Sequence, residues 1–402
     1  MRPLNVGKPK YDALNAAAAS TSPIRLLIES IRDETALTRE RKDAKDSGKD
    51  GSKDAKAPKK ELAPSLVGAQ TGVPGASIEA EFRPFHQVVE GDGSRRLIDT
   101  ITGDLGAINN TLQTVALNSS QEQQATGAIR SQVAQFKTDA ARMPAPFNTM
   151  LLQSANAFEN TIADDTYRQI RDEFQKSVYG PCQSLASNRY PMDRGAKAEI
   201  GLADFGRLFG GNGYFDGFFK KYLDTYADTS QREWKWRQEN PVAKLMSVET
   251  LRQFQRAARI RDAFFPTNGN VPQISLSITP PVLAEGGLTA KLEVNGLPVS
   301  SSNQPNPAPV AVQWPGAAGK TAVSLVQDPP LPGAQPSEIS GGTGQWALFR
   351  LLDKASKTPR ANSITASWIV GGREVPFQLG TGTVFNPLQL PALAEFKCPP
   401  SL

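Results

Sequence analysis

The feature that most constrains this chain is a change of hydrophobic period at Pro266. Before it, Leu97, Ile98, Ile101, Leu105, Ile108, Leu112 and Val115 fall on one helical face, in steps of three and four from Ile98 onward. Such a seam belongs to a helix packed in a bundle. After it, Ile274, Leu276 and Ile278, then Ala290, Leu292 and Val294, alternate with polar residues, as along half-buried strands. One segment cannot satisfy both periods, so the chain must combine two architectures: a helical bundle region, then a carboxy-terminal antiparallel β-sandwich. The 402 residues leave room for two or three domains. Of the 31 prolines, 19 follow Phe265, a second sign that the last third is built differently.

Helical runs continue through Ile129, Val133 and Phe136. Beyond the break at Met143-Pro144-Ala145-Pro146, a run uses Met150, Leu151, Ala155, Phe158 and Ile162, and a separate one uses Tyr167, Ile170, Phe174 and Val178. Gly180-Pro181 is expected to stop that helix. Two short aromatic-rich helices over 202–209 and 215–226 flank Gly210-Gly211-Asn212-Gly213, read as a flexible turn. A further helix begins near Ser247 and carries Leu251, Phe254, Ala258 and Phe264. Strands are expected over 274–278, 290–294, 310–314, 322–326, 346–352, 364–370 and 375–379, with hairpin turns at Asn295-Gly296 and Gly371-Gly372. Upstream, Ile24, Leu26, Leu27, Ile28 and Ile31 follow a helix start at Ser22-Pro23. Residues 39–61 contain no large apolar side chain, and such a stretch has nothing to bury. The expected order is therefore a short helical segment (1–38), a disordered charged linker (39–80), helical domains (81–265) and the sandwich (266–402), the last with a core of its own.

Composition excludes several classes of function. One histidine, His86, and two cysteines leave no material for a His-rich metal site or a Cys-x-x-Cys redox pair. The net charge of +5 comes from 45 basic and 40 acidic residues that are interspersed, which argues against nucleic-acid binding. No apolar run reaches the roughly 18 residues of a membrane span, and the amino terminus lacks a signal-peptide core. On its own the chain is not expected to leave the cytoplasm. Pro315-Gly316-Ala317-Ala318-Gly319-Lys320-Thr321 imitates a phosphate-binding loop. The first required glycine position holds Trp314, however, and a strand pattern follows. Asp193, Asp204, Asp216 and Asp224 could serve acid-base chemistry if they converged in a cleft; helix-capping and surface roles are the alternative. His86 has no nucleophile motif beside it and reads as structural. No catalytic, cofactor or metal residue is assigned.

Asn188-Arg189-Tyr190-Pro191, Leu202-Ala203-Asp204-Phe205, Leu208-Phe209-Gly210, Gly213, Phe218-Phe219 and Leu223 occur in one order with Phe254, Ala257-Ala258-Arg259-Ile260-Arg261, Phe264-Phe265 and Trp314-Pro315-Gly316. Gly344-Gln345-Trp346-Ala347-Leu348-Phe349-Arg350-Leu351 and Phe396-Lys397-Cys398-Pro399 complete the series. Together they resemble the carboxy-terminal region of the IcmF/TssM family of type VI secretion membrane subunits. Met192 departs from the phenylalanine usual there, a volume-tolerant exchange. The family's transmembrane helices and cytoplasmic domain are not in this sequence. The resemblance implies the periplasmic part of an inner-membrane-anchored subunit, either a fragment or a truncated gene product. It further implies a structural role without catalysis, a terminal sandwich that binds the outer-membrane lipoprotein TssJ, and contacts with other subunits and further copies of the chain; the change of period at Pro266 adds the expectation that residues 266–402 bind it without the helical region. A periplasmic setting would also allow one disulfide between Cys182 and Cys398, where a cytoplasmic one leaves two unrelated thiols. The rival reading is a cell-wall hydrolase acting through a carboxylate pair, with the sandwich as an accessory.

Overall fold

The computed structural model describes residues 14–38, 74–91, 96–117, 122–283, 287–317, 319–327, 337–360, 363–383 and 385–402, the side chains of 114–117 and 122–126 excepted. The expected linker lies outside the described residues up to position 73, and its last residues already belong to a helix. The chain divides into two compact units, residues 1–165 and 166–402.

The first unit is helical: α1 (Pro23–Thr35), α2 (Ala76–Val89), α3 (Leu97–Leu117), α4 (Glu122–Ala140) and, up to Asp165, α5 (Phe147–Phe174). Pro23 occupies the first turn of α1, where its missing N–H has no bond to lose. The α3 seam is buried from Ile98 to Leu112 and packs with Ile129, Val133 and Phe136 of α4 and with Val88 and Val89 of α2. Ile28 of α1 is fully buried in the same core. Residues 23–35 are thus an integral bundle element. An Arg25–Asp99 ion pair joins α1 to α3.

The second unit begins within α5. The two runs read on either side of residue 165 form one helix of 28 residues. Gly180-Pro181 does not end the helical path. A π-helical turn, Gln175–Tyr179, leads directly into α6 (Gly180–Ala186), with Pro181 in its first turn. The wider turn gives the ring the room that a regular α-helix denies it. Then follow α7 (Leu202–Phe209), α8 (Tyr214–Phe218), a two-stranded ribbon of β1 (Ala227–Asp228) and β2 (Lys235–Trp236), and α9 (Val248–Phe264). Ser247 caps α9 by accepting a bond from the Thr250 N–H. The glycine-rich segment after α7 is not a loose turn. The Gly211 N–H bonds the Gly269 carbonyl at 3.0 Å, and a Cβ on Gly211 would lie 1.9 Å from the Asn268 carbonyl oxygen. Gly206 meets Asn270 equally closely. These glycines are required by backbone contact, not by flexibility.

Among the described residues nine strands make the sandwich: β3 (Ile274–Thr279), β4 (Leu288–Val294), β5 (Leu297–Ser300), β6 (Val310–Trp314), β7 (Thr321–Gln327), β8 (Ser337–Gly342), β9 (Ser356–Pro359), β10 (Ser363–Val370) and β11 (Arg373–Thr381). One sheet runs β6-β3-β11-β10-β9 and the other β5-β4-β7-β8, and all the pairs are antiparallel. Two-residue turns close both expected hairpins. Asn295 and Gly296, like Gly371 and Gly372, have positive φ, the backbone that matches strand twist. The strand expected over 346–352 is instead a helix, α10 (Ala347–Asp353). It buries Ala347, Leu348, Phe349, Leu351 and Leu352 on both sides, and so continuous an apolar run has no period to read. A short helix, α11 (Pro391–Glu395), follows β11.

Candidate interaction site

Around α10 the strands, the upstream helices and the last residues interlock. Trp314, Trp346 and Trp368 are each at most 1% exposed. Their indole N–H groups donate to the carbonyls of Gln345 (2.8 Å), Ile200 (2.8 Å) and Leu351 (2.9 Å). A buried indole needs such a partner. Phe205 and Phe264 pack on Trp346, and Phe209 and Phe215 meet Phe396 at 4.8 and 5.2 Å. Phe205, Phe209, Phe218 and Phe219 are all buried in this cluster, joining the short helices to α9 and the sandwich. The space between Phe209, Phe219 and Trp234 is only about 20 Å³, room for little more than a water molecule.

The loop before α7 is clasped by α10. Arg350 donates to Glu199 at 2.7 Å and stacks over the Tyr190 ring at 4.0 Å, while the Tyr190 hydroxyl donates to Asp353 at 2.8 Å. Burial, and then the Asp353 charge, push the Tyr190 phenol well above its ordinary pKa. Cys182 of α6 and Cys398 are joined in a disulfide, with Cα atoms 5.8 Å apart. Beside it the Tyr167 hydroxyl, the Gln175 amide and the Thr250 hydroxyl donate to the carbonyls of Leu402, Pro400 and Ser401.

Of the carboxylates singled out in the sequence, Asp193, Asp204 and Asp216 have separate local partners. Asp193 accepts from the Gly195 N–H, and Asp204 pairs with Arg207. Buried Asp216 binds Lys220, the Asn212 N–H and Arg261, which outweigh burial and hold its carboxyl below the ordinary value. Asp224 is exposed. His86 is buried, with Nε2 2.8 Å from the Thr35 hydroxyl. Among the described residues no three His, Cys, Asp or Glu side chains group as a metal site would. Lys320 pairs with Glu338 at 2.6 Å and precedes a strand. Gly319 closes on the Asn295-Gly296 turn, where a Cβ would lie 2.4 Å from the Asn295 carbonyl carbon, so packing explains the glycines of the phosphate-loop imitation.

One carboxyl pair escaped the sequence reading. Asp104 of α3 faces Asp139 of α4, and burial followed by the Asp139 charge pushes the Asp104 carboxyl up to about 6. Asp139 also binds Gln135 and Arg142. Neither aspartate is in the wall of the cavity between Phe209 and Trp234 or of the larger one beside Tyr190.

Among the described residues the sandwich has four edges, and three are blunted. β5 carries Pro298, β8 has Glu338 and a register shift, and β9 carries Lys357 and Pro359. Charges, proline and irregularities are the devices by which natural sheets prevent further pairing. β6, Val310-Ala311-Val312-Gln313-Trp314, has none of them within it and, among the described residues, pairs on one side only, with β3. Val310, Ala311 and Gln313 are exposed there. Nothing in the strand itself distinguishes it in sequence, because which strand ends a sheet is decided by partners far away in the chain.

The fold is a two-sheet sandwich in which β6 ends one sheet. Residues 276–383, nearly the span of β3 to β11, match the family described as the type VI secretion protein IcmF C2-like domain. The chain is thus similar to the IcmF/TssM family, and its sandwich resembles that family's C2-like domain. It is 29% identical over 413 residues to the type VI secretion system component TssM1 of Pseudomonas aeruginosa, an alignment covering 97% of this chain and 37% of that protein. A solved "Type VI membrane complex" shares its fold at TM-score 0.64 and 14% identity, over 99% of this chain and 74% of that one. A "Type VI secretion system membrane core complex" does so at 0.63 and 15%, over 92% and 77%. Among the described residues no helix is long and apolar enough to cross a membrane.

Proposed function

We propose that the chain works by binding, as a structural and docking part of a type VI secretion membrane complex. On this reading it stands in the periplasm beside other subunits and further copies of itself, and its sandwich captures the lipoprotein TssJ. The observation that carries the docking role is the open β6 edge. An edge held by a sheet offers backbone donors and acceptors with little ordering cost, and alternate side chains of the added strand supply selectivity. The relation to TssM1 supports the place in the complex, and the motif series supports the lipoprotein. Non-catalytic work also suits carboxylates that do not converge: Asp193 and Asp204 have local partners, Asp216 in the wall of the small cavity is paired with Arg261, and Asp104 and Asp139 lie away from both cavities.

Calorimetric titration of the chain with its soluble cognate lipoprotein tests the proposal. Ala311→Lys with Gln313→Lys should weaken binding by at least about tenfold, roughly 1.4 kcal/mol, at an unchanged melting temperature. Wild-type affinity in that variant would move the site off β6. No heat from the wild-type chain would refute the lipoprotein as partner.

A further inference from the structure

Beside α10, within the second unit, lies a cavity of about 260 Å³ that neither the family nor the β6 edge accounts for. Leu352, Leu388 and Leu393 line it as buried apolar surface, and Arg194, Asp353 and Lys357 supply its charges. Two cations therefore share one carboxylate. Asp353 is 3.3 Å from Arg194 and 3.8 Å from Lys357, while its other oxygen is taken by the Tyr190 hydroxyl. Arg350, the next cation, is committed to Glu199. Burial lowers the Lys357 pKa, and Arg194 lowers it further against the pull of Asp353. The wall thus carries one positive charge in excess, next to apolar surface.

We propose that this cavity is a docking pocket for a partner polypeptide, taking an apolar side chain against Leu352, Leu388 and Leu393 and a neighbouring acidic side chain between Arg194 and Lys357. Size selects the occupant: small-molecule and cofactor sites run to about 300–1,000 Å³, and this one holds one or two side chains. Charge selects the acid, since a carboxylate entering between the two cations restores the pairing that Asp353 alone leaves incomplete.

Saturation-transfer NMR on the full chain tests this, with N-acetyl-Phe-Glu-amide and N-acetyl-Phe-Gln-amide as probes. The acidic probe should bind at least about fivefold better than its amide twin, a modest margin suited to millimolar affinities. Arg194→Gln and Lys357→Gln should each remove most of that margin. The Arg194 side chain is 58% exposed, so its variant keeps the fold, which an unchanged melting temperature verifies. Equal saturation of the two probes, no saturation of either, or an undiminished margin in the double variant would overturn the proposal.

Discussion

Asp104 illustrates how a single residue's chemistry depends on a neighbour the sequence does not point to. Its carboxyl titrates near 6 in the folded chain against an ordinary 3.8, because it is partly buried and faces Asp139. The folded state therefore holds a proton that the unfolded chain has released, and stability falls as pH rises from about 4 to about 6. Asp104→Asn, an amide that can donate to Asp139 at any pH, should be nearly neutral at pH 4. At pH 7.5 it should stabilise by about 1 kcal/mol, a figure already reduced for solvent screening of a partly exposed site. Urea unfolding of both proteins at the two pH values measures the difference. A difference that does not change with pH would mean that the two carboxyls are uncoupled. Nothing in the spacing of residues 104 and 139 announces the pair, since each simply looks like a polar position on an amphipathic helix.

At the scale of elements, α10 is where sequence reasoning misjudged the sandwich and where the second unit is held together. Its apolar residues gave no period, and the choice of helix over strand was made by the surfaces it meets on strands of both sheets and on the loop at 187–200. Trp346→Phe removes the donor to the Ile200 carbonyl and leaves a small void at a fully buried site. The expected cost is about 2–4 kcal/mol, part lost packing and part an unpaired carbonyl. It should read as a lower denaturant midpoint at unchanged slope. A loss below about 0.5 kcal/mol would show that the clasp is unimportant. Elements with a clear period fared differently: the α3 seam, α9 with its Ser247 cap, β3 and the Asn295-Gly296 hairpin were all legible, because each is specified within a dozen residues.

Across the whole molecule, the Cys182–Cys398 bridge spans 216 residues. By chain-entropy reasoning, closing so long a loop restricts the unfolded state by up to about 5 kcal/mol. Since the neighbouring hydrogen bonds and the buried Phe396 and Leu402 already anchor this segment, the reduced chain should stay folded but lose about 3–5 kcal/mol. Urea titration with and without reductant, together with the Cys182→Ser/Cys398→Ser variant, measures it. Equal stability in all three would mean the bridge constrains nothing that the contacts do not already fix.

By itself the sequence determined the two architectures, the position of the change between them, most of the strands and helices, both hairpins and the family resemblance, since all of these are written in local period, turn chemistry and ordered motifs. Tertiary structure alone decided that residues 166–265 and the sandwich share one compact unit, and that Gly206 and Gly211 sit against Asn270 and Asn268. It also decided that β6 ends its sheet and that Arg194, Asp353 and Lys357 meet at one cavity. The physical reason is the same in each case. A local pattern states which face of an element must be buried, but which distant surface buries it is settled only when the whole chain closes.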